Sequence, residues 1–253
     1  MNSSRDPKWL LIGNQIRIPL LQETLTGLMP SSSPFPDFAH VPYLAAIHFY
    51  QCLGASDDSN RRGHHSVSMC LLRQCVEDIS IVDCGLQDRT FAEPMLRAWL
   101  DDTKTIGEIR KDLERQVWPR YGRGLWLETW AEFFGRLARA VQPYAHYSSS
   151  LMGWQFAMVS HERGPDALTL LGANTYDPIK ASRITLLLEL TTWTLGRLFL
   201  ENGRIPVASD LGQQLKRYGL ELGKSKLLFK NNDWEKELMP HMAFRPGYDW
   251  RDA

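Results

Sequence analysis

The sequence predicts an all-α protein, and three observations favour this fold class. Apolar side chains recur at the three- and four-residue spacing of helices along nearly the whole chain. Capping residues and glycine or proline breaks divide that pattern into segments of helical length. The sequence contains no strand-rich section, glycine-rich phosphate loop or G-x-S-x-G nucleophile elbow. We therefore expect a helical bundle with an N-terminal arm and an extra C-terminal helical segment.

Four helices are predicted in the first half of the chain. Thr105 is a candidate N-cap with Glu108 three residues later, the pattern of a capping box. The run "ASDDSNRRG" (Ala55–Gly63) indicates a polar connection between helices, because glycine and asparagine break helices. The predicted helices are His40–Ala55, His64–Leu86, a short one within Thr90–Asp102, and Thr105–Trp118.

Three further helices are predicted in the second half. Asp177 is a candidate N-cap before Pro178, and Gly203 lies beyond the end of the helix that follows. Residues 166–172 fit no element and leave room for a small hairpin. The predicted helices are Leu125–Gln142, the helix that starts at Pro178, and one within Val207–Leu228.

Length and composition are those of an ordinary globular protein. The chain has 253 residues, 43% of them hydrophobic and 23% charged, which suits one large domain with appendages. The tract "SSSPFP" at Ser31–Pro36 is the best boundary. We therefore expect an N-terminal arm at 1–36, a helical body at 37–203 and a helical extension at 204–253.

Cysteine usage and hydropathy bear on the cellular compartment. No secretory signal is evident, so the four cysteines indicate a reducing cytoplasm and are predicted to be core thiols: Cys52, Cys70, Cys75 and Cys84. The most apolar window, Ile184–Leu200, is short for a bilayer span and contains Glu189 and Arg197. We expect it to be a buried helix of a cytoplasmic protein that does not enter a membrane.

Charge is balanced overall but uneven along the chain. Lysine and arginine together number 29, as do aspartate and glutamate. Residues 104–139 hold eight basic against five acidic residues, and they include Arg136 and Arg139. This stretch leads into "RLARAVQPYAHYSS" (Arg136–Ser149). A basic field beside His146 suits a ligand that carries phosphate.

The pair Arg139 and His146 is the candidate catalytic site. With twenty arginines and seven histidines, about 1.7 pairs with four to six residues between arginine and histidine are expected by chance. The spacing alone is therefore no evidence for a catalytic pair. On an unbroken helix the two side chains would stand ~10 Å apart along the axis, with Arg139 tilted away from His146. Pro143 should end or kink the helix between them, which would let His146 turn toward the arginine.

An arginine and a histidine in one hollow are suited to metal-free cleavage of RNA. The imidazole can move a proton at the attacking or leaving oxygen, and the guanidinium can hold two phosphate oxygens. The reaction depends on the ribose 2′-hydroxyl, so DNA should be inert. We expect neither a metal nor a cofactor. Neighbouring side chains that could bind or stack on RNA are Arg136, Tyr144, Tyr147, Ser148 and Ser149.

The segments "FFGRLARAVQPYAHYS" and "LLRQCVEDIS" together resemble HEPN-type domains over roughly His40–Gly203. The resemblance implies a helical bundle that dimerises, and a metal-independent ribonuclease of toxin–antitoxin or phage-defence systems with an antitoxin or regulatory protein as partner. By that resemblance Arg139 would bind phosphate and His146 would act as acid and base, with Arg73, Glu77 and Asp78 lining the same cleft. Ala140 replaces the polar residue that often follows the family's arginine, and Pro143 interrupts the interval.

Two other hypotheses about the function are compatible with the sequence. The first is a non-catalytic helical module for protein interaction or regulation, in which the arginine–histidine spacing is accidental. The second is a metal-dependent hydrolase that uses His64 and His65, although adjacent histidines at a helix start are expected to be solvated. His48, on an apolar helix face, is predicted to be a hydrogen-bonded core histidine, and Trp126 and Trp130 are predicted to be core residues.

Overall fold

The structure, a computed structural model, describes residues 7–29, 37–126, 128–144 and 176–225. These residues form α-helices, short 3-10 turns and one isolated bridge between Arg123 and Thr129, and they contain no strand. The predicted all-α fold class is confirmed. The helices are α1 Lys8–Leu28, α2 Val41–Arg61, α3 His65–Leu86, α4 Arg89–Leu100, α5 Ile106–Gln116, α6 Trp130–Val141, α7 Pro178–Glu201 and α8 Asp210–Leu222.

Helix α3 lies at the centre of the bundle. It makes its most extensive contact with α2 and also packs against α4, α5, α6 and α7. Its second half is buried on several sides, since Ile79, Ile81, Val82 and Cys84 are all buried. A helix that is apolar on several sides has to be surrounded by others. This explains why α3 has neighbours on so many faces.

Helices α1 and α8 contribute to the same core as the rest of the bundle. Helix α1 packs against α2, α7 and α8, and its Ile16 and Leu20 side chains are fully buried. Helix α8 contributes Leu215 and Tyr218, which are also fully buried. These helices fall within the predicted N-terminal arm (1–36) and C-terminal extension (204–253). The division of the chain at these boundaries stays a prediction.

The predicted caps of two helices are confirmed. Thr105 and Glu108 form a reciprocal capping box at the start of α5. At the start of α7, the Asp177 carboxylate accepts a hydrogen bond from the Lys180 backbone N–H at 3.1 Å. Beyond the end of α7, Gly203 has a φ of +66°, a conformation that glycine adopts without strain.

The predicted polar connection at Ala55–Gly63 is wrong, because α2 continues to Arg61. Ser56 and Asn60 are buried in this stretch, and Asn60 donates a hydrogen bond to the Ala181 carbonyl of α7. On the exposed side, Asp57 pairs with Arg61 at the four-residue spacing that supports a helix. Tertiary hydrogen bonds therefore outweigh the local turn signal.

Helix α6 begins at Trp130 and not at the predicted Leu125. Thr129 and Glu132 form a capping box there, which fixes the start five residues later. Trp126 precedes the helix and donates its indole N–H to the Gly223 carbonyl at 3.1 Å. Trp130 is fully buried as predicted, whereas Trp126 is only partly buried.

Most of the core predictions are confirmed. The window Ile184–Leu200 lies within α7 and is mostly buried, as expected. None of the helices in the described ranges is both long and apolar enough to cross a membrane. Among the cysteines, Cys52, Cys75 and Cys84 are buried core thiols, while Cys70 is partly exposed because it lies at the edge of α3's buried face.

Candidate functional site

The end of α6 carries the predicted catalytic arginine. The helix ends at Val141, and residues Gln142–Tyr144 form a 3-10 turn that contains Pro143. The predicted break in the helix at this proline is confirmed. Arg139 lies in the last helical turn and is exposed.

The Arg139 guanidinium points back along α6. Its Nη1 lies 3.5 Å from the position that a Cβ atom would take at Gly135. This agrees with the tilt of helical side chains toward the N-terminus, so Arg139 leans away from the residues that follow the helix. The missing side chain at Gly135 leaves room for the guanidinium against the helix surface.

The remaining predicted residues of this site divide into two groups. His146, Tyr147, Ser148 and Ser149 lie outside the described residues, so the pairing of Arg139 with His146 stays a prediction. Tyr144 is described, and it is buried in the core at 1% exposure. Its ring therefore cannot stack on an RNA base in this conformation.

The structure separates the three α3 residues that were expected to line one cleft. Arg73 and Glu77 form an ion pair with Nη2 and Oε1 2.7 Å apart. Both act electrostatically on Arg110 of α5, whose guanidinium carbon lies 5.7 Å from the centre of the Phe134 ring of α6. Arg73 and Glu77 thus belong to the α5–α6 side of α3.

Asp78 is on the α2 side of α3, where it joins a second cluster. Its Oδ2 lies 2.9 Å from Nδ1 of His48, and the Sγ of Cys52 lies 3.4 Å from Nε2 of the same ring. His48 and Cys52 are four residues apart on α2, so they share one helix face. The prediction that His48 is a core residue is wrong, because its side chain is 50% exposed at the rim of the α2–α3 contact.

Burial raises the pKa values of the acidic groups in this cluster. The pKa of Asp78 is raised to about 6, chiefly by burial, and the hydrogen bond from His48 opposes the rise. The pKa of the Cys52 thiol is raised to about 11 by burial and by the nearby Asp78 carboxylate. Two groups that would both carry negative charge therefore lie beside a half-exposed imidazole.

His65 has a structural role. It is buried, with Nδ1 3.0 Å from the Asn60 side-chain oxygen, and its Nε2 accepts the Asp177 backbone N–H at 3.0 Å. Burial lowers its pKa to about 4. The expected solvated helix start is wrong at this position. Because both ring nitrogens are occupied by hydrogen bonds linking α2, α3 and α7, His65 does not offer a ligand to a metal.

Asp83 is the most enclosed carboxylate on α3. Its two oxygens accept hydrogen bonds from the Tyr121 hydroxyl at 2.6 Å, the Trp118 indole N–H at 2.7 Å and the Gln87 amide at 3.0 Å. Burial raises its pKa to about 6, and these donors oppose the rise. Asp83 therefore attaches α3 to the turn that follows α5.

A polar cavity of about 310 Å³ opens between α1, α2 and α7. Glu189 on its wall is 1% exposed and pairs with Nη2 of Arg17 at 2.7 Å. The single Tyr218 hydroxyl proton is shared between the same carboxylate and the Glu189 carbonyl, which lies 3.0 Å from the hydroxyl oxygen. Burial raises the Glu189 pKa to about 7, opposed first by Arg17 and then by Tyr218. This cavity could not be predicted from the sequence, because its residues come from helices that are far apart in the chain.

Comparisons with known proteins identified no similar protein. A scan of protein-family models, a search of curated proteins and a search of solved structures each found no match.

Proposed function

We propose that the chain cleaves RNA without a metal, with Arg139 and His146 as the catalytic pair and a HEPN-type fold as its framework. The observation that carries the proposal is the geometry at the end of α6. The helix presents Arg139 to solvent in its last turn and stops at Val141, immediately before the Pro143 turn. An exposed guanidinium beside a break in the helix supports a site that a phosphate group can reach.

The chemistry assigns one role to each side chain. The ribose 2′-hydroxyl attacks the adjacent phosphorus and the 5′-oxygen leaves, which gives a cyclic phosphate and a 5′-hydroxyl. The His146 imidazole moves a proton at the attacking or the leaving oxygen. The Arg139 guanidinium holds two non-bridging oxygens and offsets the charge that develops on them.

The direction of Arg139 favours a dimeric site. Because its guanidinium lies over Gly135, it leans away from the Gln142–Tyr144 turn that follows the helix. We therefore propose that two copies of the chain meet at this end of α6, so that Arg139 of one copy acts with His146 of the other. The partly buried Arg136, one turn earlier, would extend the phosphate-binding surface.

In the cell this activity would act in the cytoplasm as a toxin or a phage-defence effector, held in check by an antitoxin or regulatory protein. Expression should then arrest growth, and His146→Ala should relieve the arrest. The alternative is a non-catalytic interaction module. A stable complex with another protein, without activity on any RNA, would favour that alternative.

The direct test is RNA cleavage by the purified chain in the presence of a chelator. We expect His146→Ala and Arg139→Ala each to lower the cleavage rate by about a hundredfold or more. Arg62→Ala, at an exposed arginine that caps the C-terminal end of α2, is the matched control and should cleave at the normal rate. A DNA strand of the same sequence should stay intact. Loss of activity on adding the chelator, or full activity of His146→Ala, would refute the mechanism.

A mixing experiment tests the dimeric site. Arg139→Ala and His146→Ala should each cleave RNA only at the strongly reduced rate given above. Mixed after dissociation and reassembly, the two variants would form one intact site in each mixed dimer. Recovery of up to about a quarter of the normal activity would support sharing of the pair across the dimer, by the statistics of random pairing into symmetric dimers. No recovery would place both residues of a site in one copy.

A further inference from the structure

The strongest feature outside the proposed RNA site is the cluster of His48, Cys52 and Asp78 between α2 and α3. Among the described residues, it is the group of histidine, cysteine and acidic side chains whose ligand atoms lie close enough to hold one metal ion, all within 4.8 Å of one another. The three side chains supply nitrogen, sulfur and oxygen. We propose that this cluster is a binding site for a zinc-class divalent cation, independent of the RNA site.

The distances between the ligand atoms fit a tetrahedral ion. Zinc–ligand bonds of about 2.0–2.3 Å place neighbouring ligand atoms about 3.3–3.6 Å apart. Nδ1 of His48 lies 2.9 Å from the Asp78 oxygen and 3.9 Å from Cys52 Sγ. These two separations bracket the ideal values, and the Asp78 oxygen and Cys52 Sγ lie within 4.8 Å of each other, so side-chain shifts of about one ångström would complete the site.

The identity of the ligands selects the metal. A thiolate and an imidazole suit Zn²⁺, whereas Mg²⁺ and Ca²⁺ require oxygen ligands. When the ion binds, the Cys52 thiol gives up its proton to solvent and forms the metal–sulfur bond. The Zn²⁺ charge then equals the combined charge of one thiolate and one carboxylate. The bound ion would therefore neutralise the charges of Cys52 and Asp78, two groups whose charged forms are disfavoured by burial.

Helices α2 and α3, which carry the three side chains of the cluster, are suited to hold them in a constant geometry. Helices α2 and α3 make the most extensive contact in the described part of the bundle, and Cys52 is buried within it. Ligands on packed helices hold their geometry better than ligands on loops. The half-exposed His48 leaves the fourth coordination position reachable from solvent, so water or a small anionic ligand could complete the tetrahedron.

Cobalt provides the most direct test, because Co²⁺ takes tetrahedral zinc sites and absorbs visible light. Titration of the full chain with Co²⁺ should give one equivalent of tetrahedral d–d absorption together with a thiolate-to-cobalt band in the near ultraviolet. Added Zn²⁺ should displace both. Absence of the thiolate band in the unmodified chain would overturn the proposal.

Matched variants then locate the site. Cys52→Ser should remove the thiolate band, and Asp78→Asn should weaken Zn²⁺ binding by at least about tenfold, since even indirect partners of a ligand contribute that much. Two controls should bind normally: Cys70→Ser, the partly exposed thiol of α3, and Asp37→Asn, whose carboxylate lies 3.0 Å from His40 Nδ1 without a thiol nearby. A band that survives Cys52→Ser or disappears with Cys70→Ser would overturn the assignment.

A third variant keeps the test decisive if Cys52→Ser does not fold. His48 is half-exposed, so His48→Gln should leave the core intact, which circular dichroism can verify. It should still weaken Zn²⁺ binding by at least about tenfold. A folded His48→Gln chain that binds Zn²⁺ as tightly as the unmodified chain would rule out the site. RNA cleavage in chelator is a separate measurement, so failure of either proposal leaves the other standing.

Discussion

Asp78 and Asp83 are five residues apart on α3, and burial raises both of their pKa values to about 6. Their surroundings nevertheless differ. Asp83 is 1% exposed and accepts hydrogen bonds from three buried side chains. Asp78 has a half-exposed imidazole and a thiol as its neighbours. A raised pKa therefore reports burial, while the neighbouring groups decide whether a carboxylate holds the fold together or can bind a ligand.

The largest expected difference between the two carboxylates is in stability. Asp83→Ala leaves the buried donors of Tyr121 and Trp118 without their acceptor, and we expect a loss of about 3–5 kcal/mol in the free energy of unfolding. Asp78→Ala should cost about 1 kcal/mol or less, because His48 can turn to water. Urea denaturation of both variants measures the difference. Equal losses of unfolding free energy in the two variants would contradict the view that Asp83 stabilises the fold and Asp78 does not.

Asp83→Asn serves as the milder control at the same position. The amide keeps the volume of the side chain and one acceptor oxygen, so part of the hydrogen bonding survives. We expect Asp83→Asn to lower the free energy of unfolding, but by less than Asp83→Ala does. A loss as large as that of Asp83→Ala would mean that one acceptor oxygen is not enough and that the surrounding donors need both oxygens of the carboxylate.

Glu189 extends the comparison to a third buried carboxylate, and pH is the way to probe it. Its pKa rises from an ordinary 4.5 to about 7 in the fold. The folded state therefore holds this proton more tightly than the unfolded state. The stability it contributes is present in full below pH 4.5 and is lost as the pH rises through 7. Glu189→Gln removes this dependence.

The stability difference between the unmodified chain and Glu189→Gln should therefore shift by up to about 3 kcal/mol between pH 4.5 and pH 8, in favour of the variant at the higher pH. Urea denaturation of both proteins at the two pH values measures it. Glu93→Gln, at a partly exposed position on α4 where ion pairs lower the pKa of the carboxyl, is the control and should not show a change of this sign. A difference that is constant with pH would contradict the assigned cause.

The structure also shows which features of the fold could be predicted from the sequence alone. Local sequence patterns predicted the Thr105–Glu108 capping box, the Asp177 cap and all the described helices except α1, which lies in the segment predicted to be an arm. Local rules were wrong at Ala55–Gly63, where Asn60 bonds to a helix more than a hundred residues away. The start of α6 was missed although its signal, Thr129 followed by Glu132, is present in the sequence.

The candidate sites were harder to predict for the same reason. His48 and Cys52 have a helical spacing that the sequence displays, but Asp78 is 30 residues from His48 and reaches it only through the packing of α2 on α3. Arg73, Glu77 and Asp78 were grouped because they share a helix, yet consecutive helical positions point about 100° apart. Sequence can place side chains around one helix axis, but the neighbouring helices decide which of them meet.

Zinc should separate the two α3 carboxylates by a smaller stability effect. If the ion binds at Asp78, Zn²⁺ at a hundred times its dissociation constant should stabilise the fold by about 2.7 kcal/mol. Asp78→Asn should lose most of this gain at the same zinc concentration, while Asp83→Asn should keep it. Thermal unfolding with and without Zn²⁺ measures both. A zinc effect that follows Asp83 would place the ion away from the α2–α3 cluster.

A smaller effect than that of zinc is expected from removing one hydroxyl beside Asp83. Tyr121→Phe deletes a donor to the carboxylate and an acceptor for the Asn202 amide, at an expected cost of about 1.5 kcal/mol. The lost hydrogen bond favoured the ionised form, so the pKa of Asp83 should rise further in the variant. The cost should therefore be larger at pH 8, where Asp83 is ionised, than at pH 5. Urea denaturation at both pH values measures this, and a cost independent of pH would mean that Tyr121 contributes through packing and not through its bond to the carboxylate.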